Sequence, residues 1–276
     1  MKNRFLFLFL CGSFLLAQTD TDVYVLDLAS LGVNPLNISK NPGYDNQPSF
    51  WDKDHLLYSS NMADQTDIVR YHLNNPRLER LTNTSYGSEY SPLRIPGSED
   101  FSAIRLDTTG LQRLYRYDLE GKSQLLFSSL KIGYHRWVSP SSALCTVLVE
   151  NRMDLVLADS AKSPKIIAKQ VGRSIHAIPK THLFSFIQQT EGQAIVHSYD
   201  PISKEITKLL TLPKGVQDIA WLPSGILVFG QGNTLYQWNS KTSNGVEEWK
   251  KLEGIKNITR LAVSPNGQLL ALVGEE

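Results

Sequence analysis

A short turn motif recurs six times along the chain, always after the predicted first strand of a repeating unit. The six copies begin at Asp52, Pro96, Pro140, Pro179, Pro223 and Pro265. Successive copies are 44, 44, 39, 44 and 42 residues apart. A period in the low forties, filled with short strands and Gly, Pro or Asn turns, is typical of four-stranded propeller blades. The repeat therefore predicts an all-β propeller.

Each unit divides into four strands, named A to D from the central axis outward. In the fifth unit the predicted strands are residues 217–222, 226–230, 234–238 and 248–252, with turn residues between them. Of the four strands in each unit, the C strand has the most regular sequence, because apolar or aromatic residues alternate with variable ones. Period-two alternation fits a sheet that packs between two neighbouring sheets. The aromatic residues of the C strands are therefore predicted to lie in the core.

The sixth copy is divided between the two ends of the chain. Residues 258–263 and 269–273 read as A and B strands, and residues 23–28 and 35–39 read as C and D strands. If these halves join in one blade, the ring closes without an unpaired strand edge. We therefore predict one six-bladed domain over residues 19–276. The predicted blades are residues 41–84, 85–129, 130–172, 173–215, 216–255, and 256–276 together with 22–40.

The first residues have the pattern of a secretory signal peptide. Lys2 and Arg4 precede an apolar run over residues 5–16, and Ala17 supplies a small residue for cleavage. We predict a signal peptide over residues 1–18 and a periplasmic or secreted monomer without a transmembrane segment; an uncleaved anchor is the alternative. The formal net charge of +1 gives no indication of a nucleic-acid partner. Cleavage leaves Cys145 as a single thiol in an apolar strand, where a core position is expected.

Residues 41–100 carry further sequence features besides the spacing. An acidic residue stands three positions before a proline twice: Asp45 before Pro48, and Glu89 before Pro92. Residues 80–82 read Arg-Leu-Thr, at the end of a unit. This stretch resembles the TolB-like WD-type β-propeller repeat family. The resemblance implies a binding ring of the bacterial periplasm, a domain that guards a peptidase, or a sugar-active enzyme. TolB carries an α/β domain ahead of its propeller, and we expect that domain to be absent here because the first strand begins near Asp22.

The residues just before and within the start of each A strand are predicted to surround one mouth of the central channel. We predict a binding site on this rim formed by Asp45, Glu89, Tyr90, His135, Arg136, Arg173, His176, Asp218 and Arg260. Arginine forks and tyrosines suit a carboxylate- or hydroxyl-bearing ligand, or the tail of a protein partner. The alternative is that these side chains only hydrate the pore and pair with one another.

Two functions remain open from the sequence. The first is a non-catalytic scaffold that binds a protein or peptide of the cell envelope, with no catalytic residue, metal or cofactor. The alternative is a small propeller enzyme, a lyase or hydrolase on a carbohydrate or lactone, which uses rim histidines and carboxylates with or without a divalent ion. No Gly-x-Ser-x-Gly motif and no glycine-rich phosphate loop is present.

Three tryptophans stand near the ends of A strands: Trp51, Trp137 and Trp221. Repetition at one structural position favours packing between blades over stacking on a ligand. We therefore predict that these side chains hold neighbouring blades together.

Overall fold

The structure is a computed structural model that describes residues 20–30, 32–63, 65–190, 192–242 and 245–275. These residues form 24 β-strands in six four-stranded antiparallel sheets, with no helix in this part of the chain. The sheets are the blades of a six-bladed β-propeller, as the repeat predicted. The predicted signal peptide, residues 1–18, lies outside the described residues.

The strands follow one another from the axis outward in blades 1 to 5. Blade 1 contains β3 (Asp45–Phe50), β4 (His55–Met62), β5 (Gln65–His72) and β6 (Arg77–Arg80). Blade 2 contains β7 (Gly87–Arg94), β8 (Phe101–Asp107), β9 (Gln112–Tyr117) and β10 (Ser123–Leu125). Blade 3 contains β11 (Ile132–Ser139), β12 (Ser142–Val149), β13 (Arg152–Asp159) and β14 (Lys162–Ala168). Blade 4 contains β15 (Val171–Ala177), β16 (Phe184–Thr190), β17 (Gln193–Tyr199) and β18 (Ile206–Leu212). Blade 5 contains β19 (Ala220–Trp221), β20 (Leu227–Gln231), β21 (Thr234–Trp238) and β22 (Glu247–Lys251).

Blade 6 joins the two ends of the chain. It contains β23 (Asn257–Val263), β24 (Leu269–Glu275), β1 (Asp22–Asp27) and β2 (Leu36–Asn37) in that order. The antiparallel register of β1 on β24 pairs Val23 with Val273 and Asp27 with Leu269. The predicted closure is therefore confirmed, and it removes the unpaired edges that a linear row of sheets would leave.

The hydrophobic core is divided into six clusters, one in each seam between neighbouring blades. The seam between blades 2 and 3 contains Ile104 and Leu114 from one sheet and Ile132 and Cys145 from the other. Cys145 is fully buried there, and burial raises the pKa of its thiol, so it packs as a small apolar residue. Because each blade buries both of its faces, the ring depends on every seam.

The three tryptophans all lie in seams, but they do not face the same way. Trp137 and Trp221 pair in register with Ala143 and Leu227, whereas in blade 1 Phe50 occupies the equivalent position opposite Leu56. Trp51 follows one residue later, and a shift of one residue reverses the face of a strand. Trp137 and Trp221 therefore point to the preceding blade, whereas Trp51 packs edge-on against Phe101 of the next blade, with ring centroids 6.5 Å apart.

The two tryptophans that face the preceding blade make the same hydrogen bond. Trp137 Nε1 donates to Ser102 Oγ over 2.8 Å, and Trp221 Nε1 donates to Ser185 Oγ over the same distance. Each serine lies on the B strand of the preceding blade. The bond satisfies the indole N–H inside an apolar seam, where an unmade bond would be costly. Packing between blades is thus the structural role of all three tryptophans.

Candidate functional site

The A strands line the central channel, and five of the six have a break in their pairing register with the B strand. The breaks fall at Asn46/Ser49, Tyr90/Leu93, Ile132/Tyr134, Val171/Ile175 and Ile258/Arg260. A bulge re-aims the side chains that follow it. The bulges therefore determine which polar residues of each A strand face the channel.

The upper mouth of the channel is the end next to the loops that connect each D strand to the following A strand. Side chains from opposite blades meet there. Arg260 Nη2 of blade 6 donates to the Tyr134 hydroxyl of blade 3 over 3.2 Å, and its guanidinium carbon lies 4.9 Å from the centroid of the Tyr134 ring. Arg173 Nη2 donates to the Thr259 carbonyl over 2.6 Å. These contacts span the pore and narrow the upper mouth.

Two more tyrosines complete this cluster. The rings of Tyr44 and Tyr90 meet edge to face with centroids 6.1 Å apart. Burial raises the pKa of the Tyr44 phenol above its usual range; the guanidinium charges of Arg260 and Arg173 oppose that shift. The phenol is therefore neutral at physiological pH, and the positive charges at this mouth have no phenolate to offset them.

Below this cluster the channel contains a cavity of about 90 Å³, with His176, Ser174 and Asp218 in its wall. His176 Nε2 lies 3.0 Å from Ser174 Oγ, and that oxygen also accepts from the Ile219 N–H over 3.2 Å. Burial lowers the pKa of His176 to about 4, and the nearby Arg136 and Arg260 charges act in the same direction. His176 is therefore a neutral imidazole at pH 7.

The opposite end of the channel, the lower mouth, is a cavity of about 490 Å³ to which all six blades contribute. Its wall includes Phe50, Trp137 and Trp221, the proline turns that follow the A strands, and the Arg136 side chain. This end thus combines apolar rings with two arginines: Arg94, which pairs with Glu99, and Arg136, which reaches toward His176.

The charges of the channel do not balance. Arg136, Arg173 and Arg260 line these two cavities, and within the described residues Asp218 is the one carboxylate in their walls. Asp218 Oδ2 already accepts from the Leu261 N–H over 3.0 Å. Burial lowers the pKa of Arg136 and Arg173, but a guanidinium stays charged in proteins. The channel therefore carries an excess of positive charge that suits an anionic group.

Two of the predicted rim residues lie in seams rather than on the channel, and a third, His135, belongs to both a seam and the channel wall. Asp45 and Glu89 are fully buried between blades. His135 Nε2 bonds to Ser102 Oγ of blade 2 over 2.7 Å, and burial lowers the pKa of its ring to about 3. The structure thus brings Arg136, Arg173, His176, Asp218 and Arg260 together around the channel, with His135 in the same wall and Tyr90 beside Tyr44 at the upper mouth. It uses Asp45 and Glu89 between sheets.

The two buried carboxylates differ in their partners. Glu89 accepts from the Tyr117 hydroxyl over 3.1 Å, its other oxygen lies 3.3 Å from Thr82 Oγ1, and burial raises its pKa. Neither oxygen of Asp45 has a hydrogen-bond partner within the part of the chain that the structure describes. Burial raises the pKa of Asp45 to about 7, and the like charge of Asp22 adds to the shift.

Sequence reasoning did not select two further residues of the channel wall, Gln47 and Ser91. The Gln47 Oε1 atom accepts from the Ser91 N–H over 2.7 Å and so connects blades 1 and 2. Both residues have positive φ, 56° and 53°, and both precede the proline of their repeat. The common position before Pro48 and Pro92 was the signal that could have identified them.

Within the residues that the structure describes, no three His, Cys, Asp or Glu side chains are grouped so that they could hold a metal ion. Across the same residues, no helix has the length and apolar character needed to span a membrane.

Comparison with known proteins identifies the fold. No family model and no curated protein sequence matches the chain. Among solved structures, a TolB-like protein from Agrobacterium tumefaciens superposes with a TM-score of 0.73 and 14% identity, covering 94% of this chain and 99% of its own. A gluconolactonase from Xanthomonas campestris superposes with a TM-score of 0.66 and 10% identity, covering 92% of this chain and 95% of its own. An oligogalacturonate lyase from Vibrio parahaemolyticus superposes with a TM-score of 0.56 and 11% identity, covering 94% of this chain and 98% of its own. At these identities the similarity establishes the propeller fold, which proteins of different function share.

Proposed function

We propose that this protein is a periplasmic or secreted non-catalytic scaffold whose central channel binds an acidic group of a protein or peptide partner. The observation that carries the proposal is the charge of the channel: Arg136, Arg173 and Arg260 against Asp218 alone in the described wall. An arginine fork binds a carboxylate through two parallel hydrogen bonds, which provide both energy and orientation. The similarity to TolB-like propellers is consistent with a binding role.

The lower mouth is the proposed entrance for the partner. The upper mouth is narrowed by the bond from Arg260 to Tyr134, whereas the lower cavity of about 490 Å³ is lined by aromatic and proline rings. Buried aromatic and arginine side chains are the usual energetic centres of protein interfaces. In this arrangement Phe50 and the proline turns contact apolar parts of the partner, and Arg136 binds its carboxylate.

His176, Tyr90, Arg173 and Arg260 form the inner end of the proposed site. His176 is neutral, so one ring nitrogen donates and the other accepts, which suits a peptide amide or hydroxyl beside the carboxylate. Arg260 and Arg173 are held by neutral partners, Tyr134 and the Thr259 carbonyl. Their charges therefore remain available to an anion that enters the channel.

The test is capture of a partner from an envelope extract of the source organism with immobilised protein. We expect one protein bound by the wild type to be lost with Arg136→Gln plus Arg260→Gln, because the anion loses two charged donors. Arg77→Gln, an exposed change on the outer strand β6, is the matched control and should retain the partner. Retention of the partner by the double variant, with unchanged circular dichroism, would exclude the channel as the binding site.

A second candidate is a small propeller enzyme that acts on a carbohydrate or a lactone. The observation that favours it is His176, a neutral imidazole in the same channel as Asp218 and three arginines, since such a group can accept a proton. The similarity to a gluconolactonase and an oligogalacturonate lyase supplies the substrates to assay. Turnover of a sugar lactone or a uronate oligomer that His176→Gln abolishes would favour this candidate over the scaffold.

The compartment and the domain boundaries belong to the same proposal. A signal peptide over residues 1–18 delivers a single propeller, residues 19–276, to the periplasm or the medium. N-terminal sequencing of protein recovered from those fractions should give a chain that begins at Thr19. A chain that retains Met1 and sediments with membranes would support the anchored alternative.

A further inference from the structure

The two seams that flank blade 1 contain the same polar arrangement at matching positions. In the seam between blades 1 and 2, Thr82 Oγ1 accepts from the Ile68 N–H over 2.8 Å and donates to Asp67 Oδ1 over 3.1 Å. In the seam between blades 6 and 1, Ser39 Oγ accepts from the Val23 N–H over 3.0 Å and donates to Asp22 Oδ1 over 2.6 Å. Each seam thus has one aspartate bound by a hydroxyl from the outer end of the same blade.

A second carboxylate follows in each seam from the A strand of the next blade. Glu89 lies in the first seam and Asp45 in the second, each three residues before a proline and each fully buried. Two carboxylates in one dry seam repel each other, and burying them costs free energy unless positive charge or donors compensate.

Arginines compensate the carboxylates in the seam between blades 1 and 2. Arg80 Nη2 donates to Asp67 Oδ2 over 2.5 Å. Arg105 pairs in register directly opposite Glu89, and its charge opposes the rise in the Glu89 pKa. Guanidinium groups therefore accompany both carboxylates in this seam, although Arg105 also donates through Nε to Asp107 Oδ1 over 2.9 Å.

Both arginine positions are neutral in the seam between blades 6 and 1. The position of Arg80, which pairs with Val69, is occupied by Asn37, which pairs with Tyr24. The position of Arg105, which pairs with Glu89, is occupied by Ser60, which pairs with Asp45. Asn37 Nδ2 donates to Asp22 Oδ2 over 2.7 Å, which supplies a hydrogen bond without a charge. The two negative charges of this seam have no compensating cation in the described structure.

The unpartnered atoms of this seam point to a ligand. The Ser60, Ser39 and Asn41 side chains approach the buried Asp45 carboxylate closely enough to oppose the rise in its pKa, but none of them reaches hydrogen-bonding geometry, and the Ser60 hydroxyl has no other partner in the described structure. The Asn41 Nδ2 atom and the Tyr58 hydroxyl are also without a partner in the described structure. An open cavity of about 650 Å³, with Asp22, Asn37 and Asn41 in its wall, lies next to the cluster. Lys40 also lines that cavity, but its side chain is exposed.

We propose that the seam between blades 6 and 1 binds a calcium ion between Asp22 and Asp45. The ion would take the place that the Arg80 guanidinium occupies in the seam between blades 1 and 2. Ca²⁺ takes oxygen ligands in flexible geometry, and carboxylates, side-chain amides and waters serve together. The Asp22 and Asp45 carboxylates, the Ser60 hydroxyl and the Asn41 side-chain amide, once its oxygen faces the ion, would provide such a set. The ion would connect blade 6 to blade 1, since Asp22 belongs to β1 and Asp45 to β3.

The test is thermal unfolding of the full chain after EDTA treatment and dialysis. We expect the Tm of the wild type to rise with added CaCl₂ to a plateau, beyond the effect of choline chloride at equal ionic strength, because a ligand that binds only the folded state stabilises it. Calorimetry should give one ion for each chain. Asp45→Asn should lose the Ca²⁺-dependent shift, and Glu89→Gln in the matched seam should keep it.

Asn37→Arg keeps the proposal testable if Asp45→Asn fails to fold. Arginine at this position should occupy the place of the ion, as Arg80 does, so that the Tm without calcium rises and the response to CaCl₂ disappears. The proposal is overturned if the wild type gives no shift beyond choline chloride, as expected if Asp45 is held as a neutral acid. It is also overturned if Asn37→Arg keeps the full calcium response.

Discussion

Two regions of the molecule are polar and largely buried: the seam between blades 1 and 2, and the central channel. Charged side chains are paired with opposite charges in the seam but not in the channel. In the seam, Asp67 and Glu89 are matched by Arg80 and by hydroxyl donors. In the channel, Arg260 and Arg173 are held by a tyrosine hydroxyl and a carbonyl, which position a guanidinium without neutralising it. A structural polar cluster satisfies its own charges, whereas a binding site keeps an excess for its ligand.

The largest stability effect is expected in the seam. Arg80→Gln leaves the buried Asp67 carboxylate without its charged partner, and because the Arg80 side chain is itself 38% exposed, the loss should be about 2 kcal/mol. Urea denaturation should register this loss in the free energy of unfolding. Arg77→Gln, on the same strand but exposed, should change it by less than about 0.5 kcal/mol. Equal changes in the free energy of unfolding for Arg80→Gln and Arg77→Gln would contradict a structural role for charge pairing in the seam.

The pH dependence of stability comes next in size. Burial lowers the pKa of His135 to about 3 in the folded protein, whereas the unfolded chain takes up that proton near pH 6.5. Between these values the unfolded state binds more protons, so stability falls as pH falls. His135→Gln should reduce this slope by about 1.4 kcal/mol per pH unit between about pH 5.5 and 4.5. An unchanged slope in denaturation curves across that range would contradict the buried neutral imidazole.

The smallest stability effect is expected in the channel. Arg136→Gln removes one of three like charges that no carboxylate pairs, so the free energy of unfolding should change by less than about 0.5 kcal/mol. The same change should weaken capture of the partner. A loss of stability comparable to that of Arg80→Gln would mean that Arg136 has a structural role, and the contrast between seam and channel would fail.

The fold followed from the sequence because a propeller repeats its local signals. Turn residues and strand alternation recurred with one period, and the divided sixth copy required the pairing of β1 with β24. The direction of side chains on the A strands was harder to predict, since a bulge or a shift of one residue reverses a face. Trp51 faces the next blade for this reason, and Asp45 and Glu89 enter seams although they lie at the start of A strands, next to the channel mouth. Sequence spacing also cannot show that Arg260 and Tyr134, 126 positions apart, meet across the pore.

The most direct test of the central claim is titration of the folded protein with a small acidic peptide, tri-glutamate, at constant ionic strength and in excess CaCl₂. The excess positive charge of the channel predicts a saturable rise in Tm for the wild type and for Arg77→Gln, and none for Arg136→Gln plus Arg260→Gln. An equal rise in the double variant, or no saturable rise in the wild type, would contradict an anion-binding channel.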